Sequence, residues 1–551
     1  MKNHKIKFSQ LHFLILILLV LSLFFRFVNL GGKVYWLDET ATSVRISGYT
    51  WTDMDREFGG LTVYKPVKEI GIEDLQKYQR LNSHKSLIDT VKGLALEEPQ
   101  QPPLYFSLVR FWAQWFGDSV AAIRSLSALI SLLVFPVTYW LCLELFKSPL
   151  VGWIAVSLMA VSPFQLLYAQ EARPYILWAV MTLLSTTLLV QAMRLKTKVS
   201  WGFYAATVSL GFYSHLFFGC VGVGHAISVI TSEGWRLTKT VRDYLVASIL
   251  GIIVFLPWFV FTINGFSKVL STTSWGTQKP WAFLGINSRL TLLLKSARNL
   301  SANFIDADKD QKIINLGFDN LFAYSIQALV VLIMVGLISY SIYFVWRSNR
   351  KSALVILPLI AVPALALMIP DLILGSYRSV SRYITPSFLG VQLSVAYLLA
   401  SQMTSISNSI WRQQLGRFVF AVLISCGIFS CTVISQTPGW WTKTGSYDDF
   451  QMAQMINQIP HPLVIFGGWG ASTHALSLSH LLKPDVRLEL VMEPNMPQFF
   501  DGFSNRLLLR PTAEIIAHLQ NEQNYKFTPL YTSTKKWIGQ VESEVLLWRI
   551  E

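Results

Sequence analysis

Eleven blocks of apolar residues run through this chain, and they constrain its fold more than any other feature. They occupy residues 8–25, 119–146, 150–168, 174–193, 200–214, 216–232, 244–264, 323–346, 353–370, 384–402 and 416–436. A helix needs about 20 apolar residues to cross the hydrocarbon core of a bilayer. We therefore predict an all-α polytopic membrane protein with eleven transmembrane helices, of which the short pair 200–214 and 216–232 is the weakest.

The composition agrees with this class. The 551 residues are 52% hydrophobic and only 14% charged, with a mean hydropathy of +0.43. Soluble proteins carry about a quarter charged residues, so disorder, a coiled coil and an ordinary soluble enzyme are excluded. Lys2, Lys5 and Lys7 precede the first block, and no small-residue cleavage site follows it. We interpret this block as an uncleaved span with a cytoplasmic N-terminus rather than as a signal peptide.

The distribution of the basic residues indicates which loops are cytoplasmic. Counting spans from the N-terminus places six short segments there, with fifteen Lys and Arg residues against three acidic ones. Cytoplasmic loops are enriched in this way, so the net charge of +14 is a topology signal. The basic residues form no continuous stripe, and we expect no nucleic-acid partner. The expected location is the cell (inner) membrane, with the C-terminal domain extracytoplasmic.

Two domains are predicted. Residues 1–436 form the transmembrane catalytic domain, with external loops 31–118 and 265–322, and residues 437–551 form a separate domain. In this second part, short apolar strands alternate with helix-like runs, which is typical of a small α/β domain. The glycines at 467, 468 and 470 follow a strand, but Thr473 stands where a dinucleotide loop needs its third glycine, so a tight turn is favoured.

The first candidate site is the carboxylate pair Asp38 and Glu39, shortly after the first span. Adjacent side chains point in different directions on a regular backbone, so we expect one carboxylate to take a proton and the other to orient the site or ligate a metal. The alternative is a solvated loop beside the interfacial aromatics Tyr35 and Trp36.

Two further clusters are predicted at the outer membrane face. Glu171 and Arg173 lie in the short connection before Pro174, and Arg378 and Arg382 lie just before a late span. Arginine presents a planar fork that suits phosphate, so the second cluster is a candidate anion clamp. The alternatives are a snorkelling arginine paired with an acid for the first cluster, and headgroup anchoring for the second.

Three further features of the sequence are weaker evidence for a functional site. Gln101 opens an aromatic amphipathic stretch, with Tyr105 near its start, that is predicted to lie in the membrane interface. His215 stands between two blocks, and a satisfied structural histidine is favoured there over a catalyst. The acidic run at 306–310 suggests a metal loop, but it lacks the glycine and glutamate of an EF-hand, so a solvated loop is favoured.

The ordered set of motifs resembles a known family. The pair Asp38 and Glu39, the sequence QPPLY at 101–105, the sequence QEARPY at 170–175 and the late Arg382 and Tyr383 resemble the GT-C membrane glycosyltransferases. The similarity is to the bacterial branch related to protein O-mannosyltransferases and the lipid A aminoarabinose transferase, over about residues 1–400. Family members often have His before the paired prolines, where this chain has Gln101.

The resemblance implies an inverting glycosyltransferase, a hexosyl- or pentosyltransferase, that uses a polyprenyl-phosphate sugar and an acceptor hydroxyl. It implies that Asp38 is the base, that Glu39 orients the site and that Glu171 positions acceptor or sugar. The implied donor-phosphate ligands are Arg173, Arg378, Arg382 and Tyr383. The implied substrate-binding residues are Tyr105, Tyr175 and His215. A lipid phosphate leaves as a stable anion, so a cation is needed but a general acid is not.

Cofactors and partners follow from the same interpretation. No Walker loop is present, which favours a lipid donor over a nucleotide donor. No cofactor is assigned, although an Asp-Glu pair can ligate a divalent metal. The acceptor is a glycolipid, a polysaccharide or a protein, and membrane lipids surround the chain. The rival hypotheses are a multi-span transporter or flippase of a lipid-linked or anionic substrate, which needs discontinuous helices and ionisable residues at mid-membrane, and a non-enzymatic scaffold.

Overall fold

A computed structural model describes residues 8–58, 69–274, 288–306, 320–404, 409–443, 445–467, 470–491, 495–521, 525–537 and 540–551. The chain divides into two compact units. Unit 1 comprises Met1–Leu30, Glu98–Tyr105 and Arg124–Gln436, and unit 2 comprises Gly31–Glu97, Phe106–Ile123 and Thr437–Glu551.

The elements are named in chain order. The first helices are α1 (Phe8–Phe27), α2 (Leu37–Ser47), α3 (Trp51–Phe58), α4 (Ile72–Gln76), α5 (Leu87–Glu97), α6 (Leu104–Phe116), α7 (Val120–Leu132), α8 (Val134–Phe146), α9 (Pro149–Ala160), α10 (Pro163–Ala169), α11 (Tyr175–Leu195) and α12 (Lys198–Ser214). The later helices are α13 (Phe218–Ser232), α14 (Lys239–Asn264), α15 (Phe266–Thr272), α16 (Ser288–Ser301), α17 (Asn320–Ser348), α18 (Arg350–Leu374), α19 (Thr385–Thr404), α20 (Ile410–Gln436), α21 (Asp449–Ile456), α22 (Ala471–Leu478) and α23 (Ala513–Asn521). The strands are β1 (Ile70–Gly71), β2 (Pro462–Gly467), β3 (Arg487–Val491), β4 (Asn505–Leu509), β5 (Phe527–Trp537) and β6 (Gln540–Ile550).

All the apolar blocks are helical, and the polytopic class is confirmed. In the described part of the chain, 7 helical segments are long and apolar enough to cross a membrane. They are Val120–Phe146, Tyr175–Leu195, Lys239–Asn264, Ser325–Ser348, Arg350–Leu374, Ser381–Thr404 and Ile410–Gln436. The remaining blocks are shorter helices or a bent pair, so the count of eleven spans stays a prediction.

The block 150–168 is not one straight span, as the sequence had suggested. It is broken into α9 and α10, which meet at an angle of 62°. Pro163 has no N–H for the helix ladder and disfavours helical geometry at the residue before it. Ser162 is therefore the N-cap of a new helix, and its Oγ accepts from the main-chain N–H of Gln165 at 3.4 Å. The break leads α10 into the connection that carries Glu171.

A buried arginine joins α1 to its neighbours in unit 1. Arg26 is 1% exposed, and its guanidinium donates to Ser131 Oγ at 2.9 Å and to the carbonyl of Ala160 at 3.2 Å. The carbonyls at the end of a helix have no partners within that helix, so Arg26 satisfies the C-terminus of α9. A charge in an apolar setting is tolerated when it is bonded in this way.

Unit 2 contains a six-stranded sheet in the order β1-β3-β2-β4-β6-β5. β2 is parallel to β3 and to β4, and the other pairs are antiparallel. This confirms the predicted small α/β domain, in which short strands alternate with helices. The strand β5, the helix α21 and the short strand β1 were not predicted from the sequence.

The first external segment belongs to the same compact unit as the C-terminal segment. Ile70 of β1 pairs with Leu488 of β3, and Val44 of α2 shares a hydrophobic core with Val464 of β2. One border between the units lies between Gln436 and Thr437. Compactness thus groups residues 31–97 with residues 437–551, whereas the sequence had suggested that 31–97 is an external loop of the membrane domain. The predicted functional boundaries stay a prediction.

Candidate functional site

The two adjacent carboxylates at the start of α2 have different environments within unit 2. Glu39 is fully buried. Its Oε2 accepts from the main-chain N–H of Trp36 at 3.1 Å and lies 3.5 Å from Lys443 Nζ. Asp38 is half-buried in the first turn of the same helix. Glu39 therefore holds the helix terminus, and Asp38 is the more accessible carboxylate.

The rest of α2 is held by charged side chains. Arg45 Nη1 lies 2.6 Å from Glu97, and Glu97 also accepts from the N–H of Trp51 at 2.9 Å. Burial alone raises the pKa of Glu97, but Arg45 and hydrogen bonds at the start of α3 outweigh it and bring the pKa below its usual value. Arg110 donates to the carbonyl of Ile46 at the other end of α2. This helix is therefore a rigid support for Asp38.

In unit 1, the connection between α10 and α11 is anchored by Gln170. Its Nε2 donates to the carbonyls of Phe25 at 2.7 Å and Val28 at 3.0 Å, which satisfies the end of α1. The next residues turn sharply, because the N–H of Arg173 donates to the carbonyl of Glu171 at 2.8 Å. Glu171 is 2% exposed and Arg173 is 4% exposed. The sequence had marked Gln170 only as part of a motif, without a role.

The positive charges of Arg173 and Arg382 both affect the pKa of His215. Burial, followed by the positive charges of Arg173 and Arg382, lowers the pKa of His215 to about 3. His215 is therefore neutral at physiological pH. Its Nδ1 accepts from the N–H of Phe217 at 3.2 Å, so the ring proton must be on Nε2. The ring is stacked on Trp178, with centroids 4.3 Å apart. The Nε2–H of His215 is therefore an oriented hydrogen-bond donor that experiences the positive charges of both arginines.

Aromatic rings surround this group. Tyr175 and Tyr383 each have ring centroids 6.0 Å from that of His215. The Arg173 guanidinium lies 5.9 Å from the ring of Tyr175, and the Arg382 guanidinium lies 5.3 Å from the ring of Tyr383. Such contacts hold a guanidinium in place without neutralising it. The structure thus brings together five predicted site residues of unit 1.

The loop before Arg382 is organised by Asp371, which sequence reasoning missed. Asp371 is fully buried. Its carboxylate accepts from Ser376 Oγ at 2.7 Å and from the N–H groups of Arg378 at 2.8 Å and Ser379 at 2.7 Å. The sequence does contain a signal for this role: Asp371 is an isolated acidic residue directly after the apolar block 353–370. A charge without hydrogen-bond partners is costly at such a position. Asp371 fixes the backbone that leads to the candidate clamp.

The comparisons with known proteins concern the fold. Residues 100–261 match the family described as dolichyl-phosphate-mannose-protein mannosyltransferase. The crystal structure of ArnT from Cupriavidus metallidurans bound to undecaprenyl phosphate is 11% identical, has a TM-score of 0.50 and covers 97% of this chain and 98% of its own. ArnT from the same organism in the apo state has a TM-score of 0.51 at 11% identity, covering 98% of each chain. The chain has a GT-C glycosyltransferase fold.

A further solved structure extends this likeness. The Archaeoglobus fulgidus oligosaccharyltransferase in its apo form is 13% identical with a TM-score of 0.50, and the alignment covers 89% of this chain but 65% of that one. A search of curated proteins found no match. The predicted resemblance to the GT-C enzymes, to ArnT and to the O-mannosyltransferases is thereby confirmed.

Two other predicted site residues, Tyr105 and Arg378, do not belong to the group around His215. Tyr105 is fully buried, and its hydroxyl shares a hydrogen bond with Ser127 at 2.6 Å. Its side chain is packed inside unit 1, and its role in substrate binding stays a prediction. Arg378 is exposed, although its N–H is bound by Asp371. Arg382 is therefore the better placed of the two clamp arginines.

No group of three or more His, Cys, Asp or Glu side chains that could hold a metal ion occurs among the described residues. The acidic run at 306–310, for which a solvated loop was favoured over a metal loop, lies mostly outside them, because the structure describes Asp306 but not 307–310. The glycine turn after β2 also falls partly outside, at residues 468 and 469.

Proposed function

We propose that this protein is a membrane glycosyltransferase that moves a sugar from a polyprenyl-phosphate donor to an acceptor hydroxyl on the extracytoplasmic face, with inversion at the sugar carbon. One set of observations carries the proposal: the positive charges of Arg173 and Arg382 both act on the buried His215, and Tyr175 and Tyr383 each have ring centroids 6.0 Å from that of His215. We infer an anion site from this arrangement. A phosphate needs both positive charge and directed donors.

The relatives support a lipid-phosphate donor. One ArnT structure is bound to undecaprenyl phosphate, and the matching family is described by a dolichyl-phosphate sugar donor. In the proposed reaction, Arg382 and Arg173 bind the phosphate oxygens, and the Nε2–H of His215 donates to one of them. Tyr383 and Tyr175 keep the guanidinium groups oriented. The charge that develops on the leaving phosphate is then stabilised without a general acid.

The acceptor half of the reaction is assigned to the start of α2. The acceptor oxygen forms a bond to the sugar carbon as the bond from that carbon to the phosphate oxygen breaks, and the acceptor proton passes to Asp38. A single displacement inverts the configuration. Glu39 is buried and bonded, so it orients α2 rather than taking the proton. Glu171 is assigned to positioning the sugar or the acceptor.

The acceptor class is a glycolipid, a polysaccharide or a protein, and the enzyme is a hexosyl- or pentosyltransferase. The positive-inside pattern supports an inner-membrane location with a cytoplasmic N-terminus and an extracytoplasmic C-terminal domain. No step of the proposed mechanism requires a metal ion, and a divalent metal that binds Asp38 would act by orienting it.

The test is transfer by the purified full-length chain. We expect wild-type protein, supplied with a synthetic polyprenyl-phosphate sugar and an envelope glycolipid extract, to release polyprenyl phosphate and to yield product of inverted configuration. Asp38→Asn keeps the shape of the side chain but removes the base, so transfer should fall roughly 10²–10⁴-fold. Asp501→Asn, at an exposed position, is the matched control and should retain activity. Near wild-type transfer by Asp38→Asn would contradict the assignment.

A transporter or flippase is the second candidate, and one observation favours it. The bend between α9 and α10 is the type of discontinuous helix that transporters use at their binding sites. Arg26, however, is held by serine and carbonyl oxygens beside this bend, so the broken helix has a structural explanation. Movement of a fluorescent polyprenyl-phosphate sugar across proteoliposomes, without transfer to any acceptor, would favour this candidate.

A further inference from the structure

A cavity of about 340 Å³ lies within unit 2. Its volume is at the lower end of the roughly 300–1,000 Å³ that is usual for small-molecule sites. The residues that line it come from the segment before α2, from α2 itself, from the end of α4 and the turn after it, from the start of α7 and from the turn after α22. The polar ones are Tyr35, Ser43, Gln76, Gln79, Arg80, Asp118, Ser119 and His480.

One wall of this cavity is fixed by Gln79. The side chain is 3% exposed, and its Nε2 donates to the carbonyl of Leu476 at 3.2 Å. His480 Nε2 donates to Gln79 Oε1 at 2.9 Å, and the ring of His480 meets the ring of Tyr35 edge-on at 4.9 Å. The amide and the imidazole are thus oriented before any ligand binds, which reduces the entropy lost on binding.

The charges that line the cavity balance. Arg80 and Asp118 have opposite signs. Arg80 Nη2 donates to Gln76 Oε1 at 3.2 Å, and Asp118 Oδ2 accepts from the N–H of Leu81 at 2.8 Å. An anionic ligand would meet Asp118, and a cationic one would meet Arg80. A neutral ligand with many hydroxyl groups can use both, because each hydroxyl donates and accepts.

The cavity also has an apolar part. Val120 and Ile123, in the first turn of α7, line it together with the hydroxyls of Ser43 and Ser119. A sugar ring presents C–H groups on its faces and hydroxyls around its edge. An apolar patch bordered by planar amide, guanidinium and carboxylate groups is complementary to that arrangement.

We propose that this cavity binds one or two neutral sugar rings of the acceptor. The inference rests on the proposed function in one respect, that the bound glycan is a substrate. Tyr35, which lines the cavity, precedes Asp38 by three residues, and Ser43 belongs to the same helix as Asp38. We assign the bound sugar to the part of the acceptor nearest the reacting hydroxyl. The acceptor class that this selects is a glycan rather than a serine or threonine of a protein.

Direct binding tests the cavity without any turnover. The full-length chain, in a detergent without a sugar headgroup, is titrated with maltose, lactose, chitobiose and α-mannobiose and followed by saturation-transfer NMR. We expect measurable binding of at least one disaccharide. Ser119→Trp fills the cavity and Arg80→Ala removes a donor, and each should weaken binding at least roughly tenfold. The matched controls are Gln114→Trp and Arg56→Ala, at exposed positions of the same unit that do not line the cavity.

A parallel set of titrations distinguishes the source of the sugar. The same disaccharides are presented on a twelve-carbon alkyl chain, and tighter binding of this form indicates a glycolipid headgroup, whereas equal binding indicates a soluble polysaccharide. Either result supports the cavity. Wild-type binding of no disaccharide in either form, or unchanged binding by both Ser119→Trp and Arg80→Ala, overturns it.

The proposed function can fail separately. If the wild-type chain binds a disaccharide through these residues but releases no polyprenyl phosphate from any donor, the cavity assignment stands and the transferase proposal falls. If transfer occurs and both variants keep the wild-type KM for the glycan acceptor, the cavity assignment falls and the transferase proposal stands. Melting temperatures measured on all variants identify any that fail to fold, and Arg80→Ala, at an exposed position, provides the second readout.

Discussion

The carboxylate of Asp371 accepts a hydrogen bond from the main-chain N–H of Ser379 at 2.7 Å. The same carboxylate accepts from Ser376 Oγ and from the N–H of Arg378. Three donors of one loop therefore converge on a single buried charge at the end of α18. This loop leads directly to Arg382, so the position of the candidate phosphate ligand depends on a residue eleven positions earlier in the chain.

Replacing Asp371 by Ala should release this loop. Each donor left without a partner in a buried site costs about 1–3 kcal/mol, so we expect a lower melting temperature together with a donor KM that rises roughly tenfold. Asp371→Asn keeps one acceptor oxygen and should have an intermediate effect. Glu144→Gln removes a carboxylate that pairs with Arg194 elsewhere and should leave the donor KM unchanged. Equal donor KM values in all three variants would exclude a positioning role.

Arg382 should be required for binding the donor. A hydrogen bond to a charged group contributes about 1.5–3 kcal/mol, so Arg382→Gln should raise the donor KM roughly 10–100-fold. Arg382→Lys keeps the charge without the planar fork and should recover only part of this loss. Arg412→Gln, which removes an exposed arginine, is the matched control. Steady-state kinetics at varied donor concentration distinguishes these cases.

His215 should act as a neutral donor. His215→Phe keeps a ring to stack on Trp178 but removes the Nε2–H, so we expect weaker donor binding with little change in the acceptor KM. Because burial and the two arginines lower the pKa of His215 to about 3, the effect of this substitution should be the same at pH 6 and pH 8. An effect that disappears at pH 8 would indicate that a protonated imidazole was involved.

The contact between Glu39 and Lys443 should couple these residues energetically. Lys443 is 5% exposed, and Glu39→Gln would remove the negative charge that lies 3.5 Å from its Nζ. Breaking a buried pair on one side costs about 3–5 kcal/mol. Lys443→Met in the Glu39→Gln background should recover part of the loss. A thermal double-mutant cycle measures the coupling, and strictly additive effects would show that the pair is not coupled.

Asp449 should make the stability of unit 2 depend on pH. Burial raises its pKa from 3.8 to about 6, even though Arg510 opposes the shift. The folded chain therefore holds this proton more tightly than the unfolded chain does. The contribution favours folding below about pH 4, and it falls by about 2–3 kcal/mol as the pH rises through 6.

The Asp449→Asn variant tests this dependence. Its side chain can still accept from Ser477 Oγ, which lies 3.0 Å from Asp449 Oδ2, but it does not ionise. The difference in melting temperature between wild type and variant should therefore change between pH 4 and pH 7, with the variant relatively more stable at pH 7. Asp501→Asn should show no such trend, since Asp501 is exposed. Parallel profiles for wild type and Asp449→Asn would contradict the prediction.

The sequence by itself predicted the membrane class, the helical blocks, the α/β tail and the order of the motifs. These depend on local properties, because hydropathy over about 20 residues and the alternation of short strands are independent of distant contacts. The likeness of residues 1–400 to GT-C enzymes also came from short motifs in order. The bend at Pro163 was not predicted, because the apolar run continues through the proline.

Which side chains contact one another depends on the tertiary structure. Burial and hydrogen-bond partners show that Asp371 holds a loop and that Glu39 holds the start of a helix. They also show that Tyr105 is packed in the interior. The grouping of 31–97 with 437–551 rests on β1 pairing with β3. The cavity combines Tyr35, Asp118 and His480, which are distant in sequence. No local pattern encodes such contacts, because they form only when the core of unit 2 closes.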